Sequence, residues 1–146
     1  MNNVTLIGMP GSGKSTIGVI LAKALRYEFL DSDLLIQKQE KRKLSEIIEQ
    51  DGPEKFKEIE NQVNADIHVT DTVIAPGGSV IYCDEAMEHL KSIGKVIYLK
   101  LSLESLSKRL GKICMRNVYL CMRNMQILPL MKRGKIWMKV FGQFWR

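Results

Sequence analysis

Apolar positions in the first 110 residues follow two alternating habits. Short runs such as Val4-Thr5-Leu6-Ile7, Val73-Ile74-Ala75 and Val96-Ile97-Tyr98-Leu99 are apolar or β-branched at nearly every position, as strands covered on both faces require. Between them apolar residues recur at three- and four-residue spacing, the mark of helices with one buried face. The pattern predicts strands at about 3–7, 28–30, 73–75 and 96–99. Helices are predicted over 15–26, 34–40, 45–50, 53–68, 84–92 and 103–110. The first would bury Ile17, Ile20, Leu21, Ala24 and Leu25, and the fourth Phe56, Ile59, Val63 and Ile67. Pro53 falls in a first helical turn, where its missing N–H costs nothing. Strands that alternate with helices pair in parallel, since each helix carries the chain back to the same end of the sheet. The expected fold is therefore α/β, a central parallel sheet between two layers of helices.

Length and composition narrow the class. A chain of 146 residues is long enough for one domain with a real core. No stretch reaches the roughly 20 apolar residues of a membrane span, and no basic segment leads into an apolar run and cleavage site. A cytoplasmic protein without a membrane partner is expected, with a monomer as the default. Cys83, Cys114 and Cys121 form neither a C-x-x-C pair nor an even disulfide framework and read as reduced, packed thiols. His68 and His89 have no metal-ligating partner at helical spacing and read as surface or helix-flank residues.

The formal net charge of +6 is unevenly spread. Residues 1–110 hold 14 Lys/Arg and all 16 Asp/Glu, a net of −2, whereas 111–146 hold the other 8 Lys/Arg and no acid, a net of +8. That last segment also has five of the eight Met, both Trp and two of the three Cys, with no sustained period. The basic character thus belongs to the segment after Lys112, and nucleic-acid binding by the main body is not expected.

Residues 8–15, GMPGSGKS, complete the pattern G-x-x-x-x-G-K-[S/T] between a predicted strand and a predicted helix. Glycines at 8, 11 and 13 let the backbone turn tightly and bring its N–H groups close to phosphates. Lys14 can reach the β and γ phosphates and Ser15 can ligate Mg²⁺, while the following helix points its positive end at the anion. The segment expected to hold the nucleotide is Gly11, Ser12, Gly13, Lys14, Ser15 and Thr16. Asp31 and Asp33 follow the second strand two residues apart, so on extended backbone their carboxylates would face the same way. One can hold magnesium and its waters while the other orients or deprotonates an acceptor hydroxyl; an Asp helix cap is the plainer reading of such a turn. Pro76-Gly77-Gly78-Ser79 closes the third strand. All three motifs lie beyond the carboxyl ends of strands, where open α/β sheets bind ligands.

Taken in order, GMPGSGKST at 8–16, FLDSD at 29–33, GPEKFKEIE at 52–60, APGGS at 75–79, VIYL at 96–99 and KRLG at 108–111 resemble the shikimate kinase family. The resemblance covers about residues 1–112 and implies a P-loop kinase fold that phosphorylates the 3-hydroxyl of shikimate with ATP and Mg²⁺. It implies that Asp31 helps hold the metal and that Asp33 binds the ring hydroxyls near the transferred proton. Lys57 falls where the family has an arginine that grips the substrate carboxylate; Gly77, Gly78 and Ser79 would line the same pocket, and Arg109 would lie against adenine. Two departures bear on the acceptor. Lys57 keeps the charge but lacks the bidentate fork that suits a carboxylate. Ser79 replaces a third glycine and puts a hydroxyl close to the ligand, to clash or to donate a hydrogen bond. Kinases of another hydroxy acid or sugar acid, and a nucleotide-binding remnant without turnover, are the neighbouring readings.

After about residue 112 the resemblance stops. The family's lid with its catalytic arginine, and the elements that follow it, are not legible in 113–146, where Arg116 and Arg123 lack the flanking pattern. The composition fits a reading frame that shifts between Gly111 and Cys114, leaving an atypical basic tail. A short divergent lid, or an arm that contacts nucleic acid through its basic residues with Trp137 and Trp145 stacking, are the other readings. Low turnover is expected, because lid closure is what excludes water.

Overall fold

A computed structural model describes residues 2–100. Its elements are β1 (Asn3–Gly8), α1 (Lys14–Leu25), β2 (Glu28–Asp31), α2 (Ser32–Glu40), α3 (Leu44–Ala65), β3 (Thr72–Ala75), a single 3₁₀ turn (Val80–Tyr82), α4 (Asp84–Ile93) and β4 (Gly94–Leu99). The four strands are all parallel, in the order β2-β3-β1-β4. The helix predicted at 103–110 and the whole basic segment lie outside the described residues.

The two-residue side-chain period of the strands sorts the core into two layers. In β1, Leu6 packs with Ala22 of α1, whereas its neighbour Ile7 packs with Ala86, Met87 and Leu90 of α4. Val73 and Ile74 in β3 divide the same way. A third cluster, Ile36, Ile47 and Val63, joins α2 to α3, with Phe56 and Ile59 partly buried against it. The apolar face predicted for 53–68 is thus the one that packs.

The face predicted for α1 needs correction. Ile17 and Leu21 pack inward, but Ile20 is 62% exposed and Ala24 and Leu25 also face outward among the described residues. The buried positions are Gly18 and Ala22. Gly18 lies so close to the Phe29 ring that a Cβ there would run into it. Close approach to the sheet selects small residues, which a count of large apolar side chains overlooks.

Two predicted helices, 45–50 and 53–68, form the single element α3 with a break at Gly52 (φ 86°, ψ 163°). Arg42 braces the turn before it, donating to Asp51 Oδ2 at 2.6 Å and to Asp51 Oδ1 at 3.1 Å. At the amino ends of the strands, the fully buried Asn3 side chain donates to Val69 O (2.7 Å) and Ile93 O (3.1 Å), and accepts from the Thr72 N–H (3.1 Å). At the opposite ends, register aligns Asp31 with Ala75 and Gly8 with Leu99, so the three motif-bearing loops leave the sheet together. No helix among the described residues is long and apolar enough to cross a membrane.

Candidate nucleotide and acceptor site

The loop after β1 takes the shape its glycines permit. Gly11 (φ 76°) and Gly13 (φ 87°) are left-handed, a conformation that costs other residues about 1–2 kcal/mol. A hydrogen bond from Ser12 N–H to Met9 O (3.0 Å) closes the turn, and Ser12 Oγ is buried without a partner. Gly13 caps α1 with no side-chain acceptor and no acid occupies the first turn, so the helix's leading N–H groups are left for an anion. Thr16 lies in that turn and is exposed.

Lys14 Nζ donates to Gly8 O at 2.9 Å and Met9 O at 3.1 Å, holding its ammonium over the loop. Burial lowers its pKa, against the attraction of Asp33, Asp31 and Glu60. Ser15 Oγ donates to Asp31 Oδ2 at 2.9 Å. The other oxygen of Asp31 accepts the Asp33 N–H at 3.0 Å, which makes Asp31 the N-cap of α2. Asp33 therefore stands in a first helical turn, and the extended D-x-D geometry expected from sequence does not form. The cap holds Asp31 beside Ser15 all the same. Asp33's pKa is raised by burial and by Asp31, with Lys14 opposing.

The third motif meets these groups from above. A Cβ on Gly77 would collide with Glu60 Oε1 and come within 3.2 Å of Asp33 Oδ1, so only glycine lets the turn lie over both carboxyls. Ser79 Oγ donates a short hydrogen bond to Glu60 Oε2. The hydroxyl is thus engaged by a side chain of the protein itself. Glu60 is fully buried, and burial raises its pKa. Lys57, one turn earlier on α3, is exposed with Nζ 5.8 Å from the centroid of the Tyr82 ring. Gly78 packs on Pro10 of the phosphate loop.

Sequence reasoning thus placed Gly11, Ser12, Gly13, Lys14, Ser15, Thr16, Asp31, Asp33, Gly77, Gly78 and Ser79 at one end of the sheet, with Lys57 on the adjoining helix. Arg109, Arg116 and Arg123 lie outside the described residues. Glu60 and Tyr82 were missed as participants, although Glu60 closes the quoted GPEKFKEIE stretch. Cys83 is buried and its thiol is pushed up to about 11, mainly by burial, in keeping with a packed thiol. His68 and His89 touch edge to face at 5.5 Å, and His89 Nε2 lies 2.7 Å from Ile67 O. An open hollow of about 600 Å³ flanks the edge strand β2, between Phe29, His68 and Thr70, and takes no part in this cluster. Among the described residues no group of three or more His, Cys, Asp or Glu is arranged to hold a metal. Ser15 and Asp31 offer only one hydroxyl and one carboxylate, a set that suits Mg²⁺ carried largely by phosphate and water.

A parallel sheet with a phosphate loop after its first strand, a carboxylate beside the loop serine and a second carboxylate facing a glycine-rich turn defines a P-loop phosphotransferase. A family model described as shikimate kinase matches residues 10–132. The chain is 41% identical over 113 residues to a shikimate kinase of Clostridium botulinum, covering 77% of this chain and 66% of the relative. The structure resembles the shikimate kinase of Acinetobacter baumannii in complex with shikimate (33% identity, TM-score 0.72, 80% of this chain and 65% of that one). It also resembles that of Aquifex aeolicus (28% identity, TM-score 0.71, 83% and 79%). The chain belongs to the shikimate kinase family. It spans just under two thirds of the length of the curated Clostridium relative.

Proposed function

We propose that this chain transfers the terminal phosphoryl group of ATP to the 3-hydroxyl of shikimate. The observation that carries the reading is that Asp33 and Glu60 meet under the Gly77 turn, with the Lys14 ammonium of the phosphate loop within electrostatic reach of both. The shikimate held by the Acinetobacter baumannii relative supports the choice of acceptor.

In this reading the loop N–H groups and Lys14 hold the β and γ phosphates. Ser15 and Asp31 hold Mg²⁺, which when bound neutralises charge on the transferred group. Asp33 orients the acceptor hydroxyl and takes its proton, a task that its burial-raised proton affinity favours. Lys57 attracts the acceptor carboxylate, Gly77, Gly78 and Ser79 line the acceptor pocket, and Arg109 packs on adenine. Residues 1–112 form the kinase core and 113–146 an atypical basic tail in place of the usual lid. The family match runs to residue 132, so that boundary is one of composition. The protein acts as a cytoplasmic monomer with low turnover.

Calorimetric ATP titration beside a coupled assay of shikimate-dependent ADP release tests this. ATP binding and shikimate-dependent release are expected, with Lys14→Ala weakening ATP binding at least ~10-fold and removing turnover. ATP binding without such release would leave a nucleotide-binding remnant. Release with a different hydroxy acid alone would reassign the acceptor, and indifference to Lys14→Ala would sink the reading entirely.

A further inference from the structure

Asp51 is followed by Gly52, and no other aspartate or asparagine in the chain precedes a glycine. A residue without a Cβ leaves its own main-chain nitrogen unhindered, so in an Asp-Gly pair that nitrogen can reach the side-chain carbonyl before it. Nothing nearby adds to the hindrance. Gly52 breaks α3 at φ 86°, kept out of the helical region by the proline that follows, and a Cβ built there would meet no described atom within 4 Å. The restraint lies on the other member of the pair. Arg42 holds both oxygens of Asp51, at 2.6 Å to Oδ2 and 3.1 Å to Oδ1, in the planar fork that suits a carboxylate. Gln50 Oε1 at 3.2 Å and Glu40 Oε2 at 3.3 Å orient the guanidinium in turn. The Asp51 side chain stays 29% exposed, so water reaches it. Hydrogen bonding to Arg42 lowers the Asp51 pKa and disfavours its acid form.

The geometry points to Asp51 as a site of spontaneous covalent modification, isomerisation to isoaspartate through a cyclic imide, with Arg42 as the residue that restrains it. In the first step the Gly52 nitrogen attacks Cγ of the carboxyl in its acid form. An N–Cγ bond forms, a Cγ–O bond breaks, and the hydroxyl leaves as water with the proton from the nitrogen. In the second step water opens the ring. Attack at Cγ returns aspartate, whereas attack at the main-chain carbonyl carbon of Asp51 leaves the chain running through Cβ and Cγ, with a free α-carboxylate. One water is lost and one regained, so mass is unchanged. The first step needs a carboxyl that can turn and that carries a proton, and the Arg42 fork opposes both. The product adds one carbon to the backbone at the break between the two halves of α3.

Ageing the folded protein at neutral pH and mapping the tryptic peptide 44–55, which lies between cuts at Lys43 and Lys55, tests this. Isoaspartate is read as a second peak of the same mass that accepts a methyl group from an isoaspartyl methyltransferase. The unmodified chain should form it more slowly than the isolated peptide 44–55. Arg42→Ala should raise the rate about two- to fivefold, the protection that a partly exposed ion pair supplies, with Arg42→Lys falling between. Glu40→Gln, which leaves the Arg42 contact with Asp51 in place, should age like the unmodified chain. Asp51→Glu should remove the product, because its ring would need a further atom. Urea melts of each variant give the share formed by unfolded chains, and only the excess over that share counts. An Arg42→Ala rate equal to that of the unmodified chain overturns the proposal, as does product that persists in Asp51→Glu. If Arg42→Ala does not fold, Arg42→Lys and the peptide decide: an unmodified chain that ages as fast as either one overturns it too.

Discussion

Asp33 and Glu60 are two carboxyls that burial leaves holding their protons more tightly, yet they sit differently. Asp33 has Lys14 as a counter-charge and lies with Oδ1 against the Gly77 turn. Asp33→Asn keeps size and one oxygen but cannot accept a proton, so kcat should drop about 10²-fold or more with ATP affinity little changed. Single-turnover rates beside ATP titration check it. Glu60 bears on stability instead. Its folded pKa lies above the unfolded one, so between the two the native state binds more protons and stability falls as pH rises. The loss begins near the ordinary carboxyl value of 4.5 and is complete once pH has passed the raised folded value. Glu60→Gln should flatten that part of the curve, and urea melts from pH 4.5 upward should show a shallower decline than the unmodified chain. Parallel curves would mean that Glu60 is not perturbed. Lys14, Ser15 and Asp31 were legible because their spacing is itself the chemistry. Glu60 was not, because a glutamate amid Lys55, Lys57 and Glu58 reads as part of a solvated helix face. Its burial comes from the turn that brings Ser79, nineteen residues away, onto it.

Among the elements, α3 shows what a single glycine decides. Gly52 adopts φ 86° and ψ 163°, a region essentially closed to other residues, although a Cβ there would meet nothing within 4 Å. Gly52→Ala should therefore cost about 1–3 kcal/mol through backbone strain alone, read as a lowered denaturation midpoint at constant m-value. The sequence showed the break as a boundary between two helices; that both halves run on as one element depends on packing. Strands were legible to within two residues because short apolar and β-branched runs set between helical patterns leave little choice of boundary. The face of α1 was not, because Gly18 and Ala22 mark contact by smallness. Nor was the 3₁₀ turn at Val80–Tyr82, since three residues carry no period.

Over the whole molecule, the two ends of the sheet are built on different plans. At the carboxyl ends three loops contribute separate pieces, and each can change without redrawing the strands. At the amino ends one side chain, Asn3, satisfies groups before or at the start of β3 and β4. Asn3→Ala would strand the buried Ile93 carbonyl, the partly buried Val69 carbonyl and the Thr72 N–H, at about 1–3 kcal/mol for each group that water does not reach. Thermal melting should shift sharply downward, while kcat/KM measured well below the transition should stay within about twofold. Fold class was legible in full because alternation fixes parallel pairing, whereas the Asn3 tie was invisible, its partners lying 66 to 90 positions away. Durability and chemistry therefore occupy opposite poles of this domain. On the acceptor reading proposed above, acceptor preference would drift through the exposed Lys57 at little risk to folding, but nearly any replacement at Asn3 is felt by every copy of the protein.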